Sequence, residues 1–180
     1  MRPGKATARL FLKGLRASLV AAVGLLFLSS PLLALTWGEV NQSLERCATL
    51  TKEAKTQVKF ERIRVRDDNS RKRAVAQVKK AENKLEQVIN IYQNLAQSDI
   101  PTANVMPLIL REYKSAISRS LGKAKGCLRQ AQQLRSSIDH PINASGIQIS
   151  LVIDLDELVY QTTFLQKRLQ AQNLRRLSSA

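Results

Sequence analysis

The stretch VKKAENKLEQVINIYQNL, residues 78–95, decides the fold class. Six of its apolar residues recur three or four positions apart, and they are Val78, Ala81, Leu85, Val88, Tyr92 and Leu95. That spacing places all of them on one face of an α-helix, because a helix turns once every 3.6 residues. The alternation of three and four is also the heptad pattern of helices that pack against other helices. The stretch therefore predicts a long helix in a mostly α-helical protein.

A second helical stripe follows this stretch after a short break. Apolar residues recur at helical spacing from Leu110 to Leu134, and Asp99-Ile100-Pro101 separates the two stripes. Since proline cannot continue a helix, a turn is expected at this break. We expect an antiparallel helical hairpin of about residues 71–98 and 102–137, with a helical bundle built around it.

The segments outside the hairpin are less uniform. Helical spacing recurs at residues 44–54 and 155–169, and Asp154 is typical of an N-cap for a helix that starts near Leu155. Residues 58–66 and 147–153 instead alternate apolar and polar positions, which is the periodicity of a strand. These two segments could pair as a small two-stranded β element. The sequence leaves open both a plain bundle and a bundle with this element.

Two cysteines, Cys47 and Cys127, bear on this choice. Four full-length helices in up-and-down order place them roughly 20 Å or more apart along the bundle axis, at 1.5 Å per residue, whereas a disulfide needs about 6 Å. If residues 58–66 are instead a strand that runs back after a short first helix, Cys47 comes to about the same height along the bundle as Cys127. An oxidising compartment favours pairing, so we expect a Cys47–Cys127 disulfide and the mixed topology. Two buried free thiols are the alternative.

The first 36 residues indicate export. Five basic residues between Arg2 and Arg16 precede an apolar run from Ala17 to Thr36, and no acidic residue occurs among them. A basic start, an apolar centre and a proline before small residues are the layout of a secretory signal peptide. If this segment is not cleaved, residues 17–36 are long enough for a membrane anchor. We expect a periplasmic or other extracytoplasmic location for a single helical domain of residues 37–180.

The composition argues against most enzyme classes. The 180 residues contain one histidine, His140, and two cysteines, so neither a histidine-built metal centre nor a thiolate metal site can form. No phosphate loop, dinucleotide fingerprint or nucleophile elbow occurs. Ser120 and Lys123 form an S-x-x-K pattern, but it lies inside a predicted helix and has no companion motif. We expect no catalytic residue, no cofactor and no metal site.

Positive charge is concentrated in the middle of the chain. The formal net charge is +15, and residues 46–135 hold 20 basic and 8 acidic residues. The candidate partner-binding residues are Arg71, Lys72, Arg73, Lys79, Lys80 and Lys84. Such a density of cations attracts polyanions. Because aromatic residues for stacking on bases make up only 4% of the chain, nucleic acid is disfavoured.

These features predict an exported, non-enzymatic binding or assembly protein. Its basic helical faces would engage an anionic membrane, a cell-wall surface or an acidic protein partner. The heptad stripes would be available for a homo-oligomer. The alternative is a membrane-anchored coiled-coil subunit of an envelope complex.

Overall fold

A computed structural model describes residues 35–98 and 107–177 as helices with short connections. The helices are α1 (Trp37–Gln57), α2 (Phe60–Ile63), α3 (Asp68–Gln97), α4 (Pro107–Ser136) and α5 (Pro141–Leu177). The prediction of a mostly α-helical protein is confirmed. The predicted signal peptide or anchor lies outside the described residues, except for Leu35 and Thr36. Within these two ranges, no helix has the length and hydropathy needed to cross a membrane.

Capping boxes fix the starts of α1 and α3. Thr36 Oγ1 accepts a hydrogen bond from the Glu39 N–H at 3.2 Å, and the Glu39 carboxylate accepts one from the Thr36 N–H at 2.7 Å. Asp67 and Ser70 repeat this arrangement at the start of α3. Because backbone N–H groups bind the charged carboxylates, the pKa values of Glu39 and Asp67 lie below their ordinary values.

The four long helices form a bundle in which each packs against two others. α1 and α4 each contact both α3 and α5, so α1 lies diagonally across from α4 and α3 lies diagonally across from α5. Two ion pairs connect the first half of α3 to the region around the end of α4. Arg71, early in α3, pairs with Asp139 just after α4, and Glu82 pairs with Arg135 at 2.9 Å.

The apolar stripe of residues 78–95 faces the centre of this bundle. All six of its apolar side chains are at most 2% exposed, and Tyr113, Ile117 and Leu134 of α4 are buried with them. The heptad pattern is therefore satisfied inside the chain. A second copy could reach these stripes only if the bundle opened.

The predicted two-stranded element does not form in the described residues. Residues 58–66 contain the end of the first helical region, α2 and an irregular connection, and residues 147–153 lie inside α5. α5 also begins at Pro141, far before the predicted start near Leu155. Proline is favoured in the first turn of a helix because its missing N–H needs no partner there.

The strand-like pattern arises because α5 has apolar residues on two faces. Leu151 is fully buried in the core, whereas Ile149 and Ile153 are 58% and 61% exposed. In a strand, all three would share one face. When two helical faces are both apolar, their combined sequence imitates the alternation of a strand.

The predicted disulfide between Cys47 and Cys127 does not form. Both thiols are free and buried, and they belong to two different core clusters on the diagonally opposed helices α1 and α4. The Cys47 Sγ instead lies 4.0 Å from the carbonyl oxygen of Val88. Burial raises the pKa of each thiol to about 12.

Candidate functional site

The six predicted contact residues lie between Arg71 and Lys84 of α3, but they differ in what surrounds them. Arg71 is paired with Asp139 of the α4–α5 connection, and Lys84 is paired with Glu53 of α1. The other four are exposed and make no ion pair with the described part of the chain, and they are Lys72, Arg73, Lys79 and Lys80. We call these four residues the α3 basic face.

The α3 basic face points away from the core. Lys72 and Lys79 are seven positions apart and therefore lie nearly above one another, and Arg73 and Lys80 form a parallel row beside them. Beyond Asn83 the outward positions of α3 carry mainly amides, and these are Gln87, Asn90, Asn94 and Gln97. The positive charge is thus confined to the half of the helix that follows Asp67.

The position of these cations is not explained by helix stability. The start of a helix carries the positive end of the helix dipole, which stabilises anions and not cations. Arg73 and Lys72 lie within six residues of the start of α3. Exposed arginines also occur before α3, at Arg62 in α2 and at Arg64 and Arg66 in the connection that follows it. The excess of positive charge therefore extends over the surface around the start of α3 and does not arise from the helix alone.

Lys123 of the S-x-x-K pattern is held between two carboxylates of α5. Its Nζ donates to Asp154 at 2.7 Å and to Glu157 at 2.5 Å, and the two carboxylates join α4 to α5. These hydrogen bonds raise the pKa of Lys123, because they favour its charged form. Ser120 of the S-x-x-K pattern is 2% exposed.

The acidic residues of α5 form a network with lysines. Asp156 accepts from Lys55 of α1 at 2.6 Å, while Asp154 and Glu157 share Lys123. Hydrogen bonds from Lys123 and Gln130 lower the pKa of Asp154, although its partial burial opposes them. In the described part of the chain no group of His, Cys, Asp and Glu side chains could hold a metal ion. The carboxylates join helices to one another.

A groove of about 560 Å³ runs between the first half of α4 and the second half of α5. Its floor is apolar, and its rim carries Arg119 and the ion pair of Arg168 with Glu112 at 2.7 Å. Tyr113 also lines the groove, and its buried hydroxyl has no hydrogen-bond partner among the described residues. The groove can receive an apolar side chain. Its existence depends on the pairing of α4 with α5, which no local sequence pattern shows.

A row of exposed apolar side chains on α5 was not predicted from the sequence. It consists of Ile142, Ile149, Ile153, Tyr160 and Phe164, and we call it the α5 ridge. Its spacings of 7, 4, 7 and 4 are visible in the sequence. They were hidden because the core stripe of the same helix is interleaved with them.

No family model, curated protein or solved structure matches this chain.

Proposed function

We propose that the protein is an exported, non-enzymatic binding protein that holds an anionic surface of the cell envelope through the α3 basic face. The observation that carries this proposal is the cluster of four exposed cations that make no ion pair with the described residues. Juxtaposed cations repel one another, and an anionic surface relieves that repulsion. The proposal of export rests on the pattern of residues 1–36.

The shape of the α3 basic face favours an extended surface over a small ligand. It is the convex outside of a helix, so it offers charge without a pocket. Three of its four cations are lysines, which act as point charges and do not impose the geometry of an arginine fork. Recognition by charge density suits anionic lipid headgroups or a cell-wall polymer.

The same face argues against nucleic acid as the partner. Its neighbouring outward residues are Ala76 and Asn83, so it lacks an aromatic side chain on which a base could stack. The exposed aromatic residues Tyr160 and Phe164 lie on α5, diagonally across the bundle. An acidic protein partner uses the same charges and is an outcome of the experiment below.

The test replaces Lys72, Arg73, Lys79 and Lys80 with Gln in the full chain. A matched control replaces four exposed cations elsewhere, which are Lys52, Lys114, Lys125 and Arg129. Binding to vesicles that contain 30% phosphatidylglycerol is measured by co-sedimentation between 50 and 500 mM NaCl. Each cation near such a surface is worth about 1 kcal/mol, so we expect the affinity to fall by at least tenfold, and up to roughly a thousandfold.

The control separates a site from net charge alone. Since both variants lose four positive charges, equal losses of binding would contradict a specific face. We expect the control to keep most of its affinity and the α3 variant to lose most of its salt dependence. Binding of the native chain to an acidic protein but not to the vesicles would also reject the proposed surface.

The second candidate is a membrane-anchored structural subunit, and the α5 ridge favours it because exposed apolar rows mark interaction sites. Carbonate extraction of membranes from the native host distinguishes the two candidates. A cleaved binding protein is washed off, whereas a chain anchored by residues 17–36 stays in the membrane pellet.

A further inference from the structure

The α5 ridge exposes five large apolar side chains to water along one face of the helix. The exposed fractions are 90% for Ile142, 58% for Ile149, 61% for Ile153, 69% for Tyr160 and 55% for Phe164. The ridge from Ile142 to Phe164 is about 33 Å long at 1.5 Å per residue. It offers on the order of 500 Å² of apolar surface, so two such ridges reach the roughly 1,000 Å² of a specific interface.

We propose that the α5 ridge binds the same ridge of a second copy of this chain, with the two helices antiparallel. The spacing from Ile142 to Tyr160 is 7, 4 and 7, which reads the same in both directions. An antiparallel pair therefore places Ile142 opposite Tyr160, and Ile149 opposite Ile153, on both sides of a two-fold axis. Such an interface is self-complementary, as a symmetric dimer requires.

The charges of α5 select the antiparallel direction. A parallel pair would set Asp156 and Glu157 beside their own copies, and like charges at such short range repel one another. In the antiparallel register these two carboxylates fall opposite Gly146 and Ser145 of the second copy. Within their own chain they are already paired with Lys55 and Lys123.

Two local features fit this register. Gly146 lies on the exposed side of α5, and a Cβ placed on it would meet nothing within 4 Å, so a second helix can approach closely there. Ile142 is the most exposed residue of the ridge, and its counterpart Tyr160 borders the α4–α5 groove. Ile142 of the second copy can therefore enter the mouth of that groove, whose floor is apolar.

The flanking residues of α5 around the first half of the ridge, from Ile142 to Ile153, argue against a lipid bilayer as the occupant of that half. Helices that lie in anionic membranes carry lysine and arginine along the border of their apolar face. Residues 141–153 contain no charged side chain, and the next residues toward the C-terminus include Asp154, Asp156 and Glu157. The α3 basic face lies on the opposite side of the bundle, since α3 is diagonal to α5.

If the α3 basic face binds anionic surfaces as proposed above, the dimer can bind two of them at once. Because each α3 basic face points away from its own α5, a dimer joined through α5 carries two basic faces on opposite outer sides. It can then bridge two anionic surfaces, whereas a monomer can only bind one.

Sedimentation velocity of the full chain at 1 to 100 µM tests the dimer directly. We expect twice the monomer mass of 20.1 kDa for the native chain. The variant Ile149→Glu with Ile153→Glu should raise the dissociation constant at least a hundredfold and sediment as a monomer. The matched control, Gln132→Glu with Gln133→Glu on the exposed side of α4, should remain a dimer. Circular dichroism checks that both variants keep their helix content.

Cysteine cross-linking tests the register. The variant Ile142→Cys with Tyr160→Cys should cross-link between copies under oxidation, whereas Ile142→Cys alone should not, because its two sulfurs would lie about 27 Å apart along the axis. A native chain that is monomeric at 100 µM would overturn the proposal. So would a dimer that still forms when Ile149 and Ile153 are both replaced with Glu. If the native chain is a monomer and binds vesicles through its ridge, the occupant of the ridge is a membrane. Vesicle binding by the monomeric Glu variant tests the proposed function independently of the dimer, since that variant retains the α3 basic face.

Discussion

Replacing Leu151 and Ile153 one at a time with Ala tests the orientation of α5. Leu151 is fully buried, so Leu151→Ala should lower the free energy of unfolding by about 3 kcal/mol, within the usual range of 2 to 5 kcal/mol for such sites. Ile153 is 61% exposed, so Ile153→Ala should cost about 0.5 kcal/mol or less. For a chain of this size the first change lowers Tm by roughly 10 °C and the second by about 2 °C at most.

Urea denaturation followed by circular dichroism at 222 nm measures both free energies. The protein concentration must be the lowest that the signal permits, because dimer formation through Ile153 would add a concentration-dependent contribution. The m-values should match that of the native chain, which shows that the unfolding reaction is the same. If the two variants lose the same stability at low concentration, residues 151 and 153 share one face. The helical register of α5 would then be wrong.

Two further predictions concern buried groups. Cys47 and Cys127 should both resist a thiol reagent at pH 8 in the native chain, because burial raises each pKa to about 12. Both should react in denaturant without reductant. A thiol that reacts fast in the native chain, or fewer than two reactive thiols in the unfolded chain, would contradict this prediction. Burial also raises the pKa of Glu82 above its ordinary value of 4.5, although Arg135 opposes the shift. The folded state therefore favours protonated Glu82, and the stability that this provides is lost as the pH rises through the raised pKa. Glu82→Gln imitates the protonated form, so it should raise the free energy of unfolding at pH 7 and have little effect at pH 4. Urea denaturation at both pH values measures this. A gain in the free energy of unfolding that is larger at pH 4 than at pH 7 would contradict the reasoning.

The sequence predicts helices well where one face alone is apolar. In residues 78–95 one apolar stripe stands out and the remaining positions are polar except for Ile89 and Ile91, so the helical period is easily recognised. α5 defeats the same reasoning because its core stripe and its ridge together fill the positions that a strand would use. The start of α5 at Pro141 is also hard to predict, since a proline at the first position of a helix and a proline in a turn look alike in the sequence.

The candidate site shows a similar limit. The sequence locates the cations of α3, but it cannot show that Arg71 meets Asp139, 68 residues away, or that Lys84 meets Glu53, 31 residues away. These pairings depend on how α3 lies against its neighbours. The expected disulfide fails for the same reason, because Cys47 and Cys127 lie on helices that the bundle sets diagonally apart.

The distribution of charge along the chain connects the two proposals. Residues 46–135 carry 20 basic and 8 acidic residues, whereas residues 136–180 carry four of each. Copies that met through α3 would bring their positive charges together, but copies that meet through α5 join their neutral parts and hold the α3 basic faces far apart. The dimer should therefore change little between 50 and 500 mM NaCl, while binding to an anionic surface weakens steeply over the same range. A dimer that dissociated or tightened strongly with salt would show that charge and not the apolar ridge governs the contact.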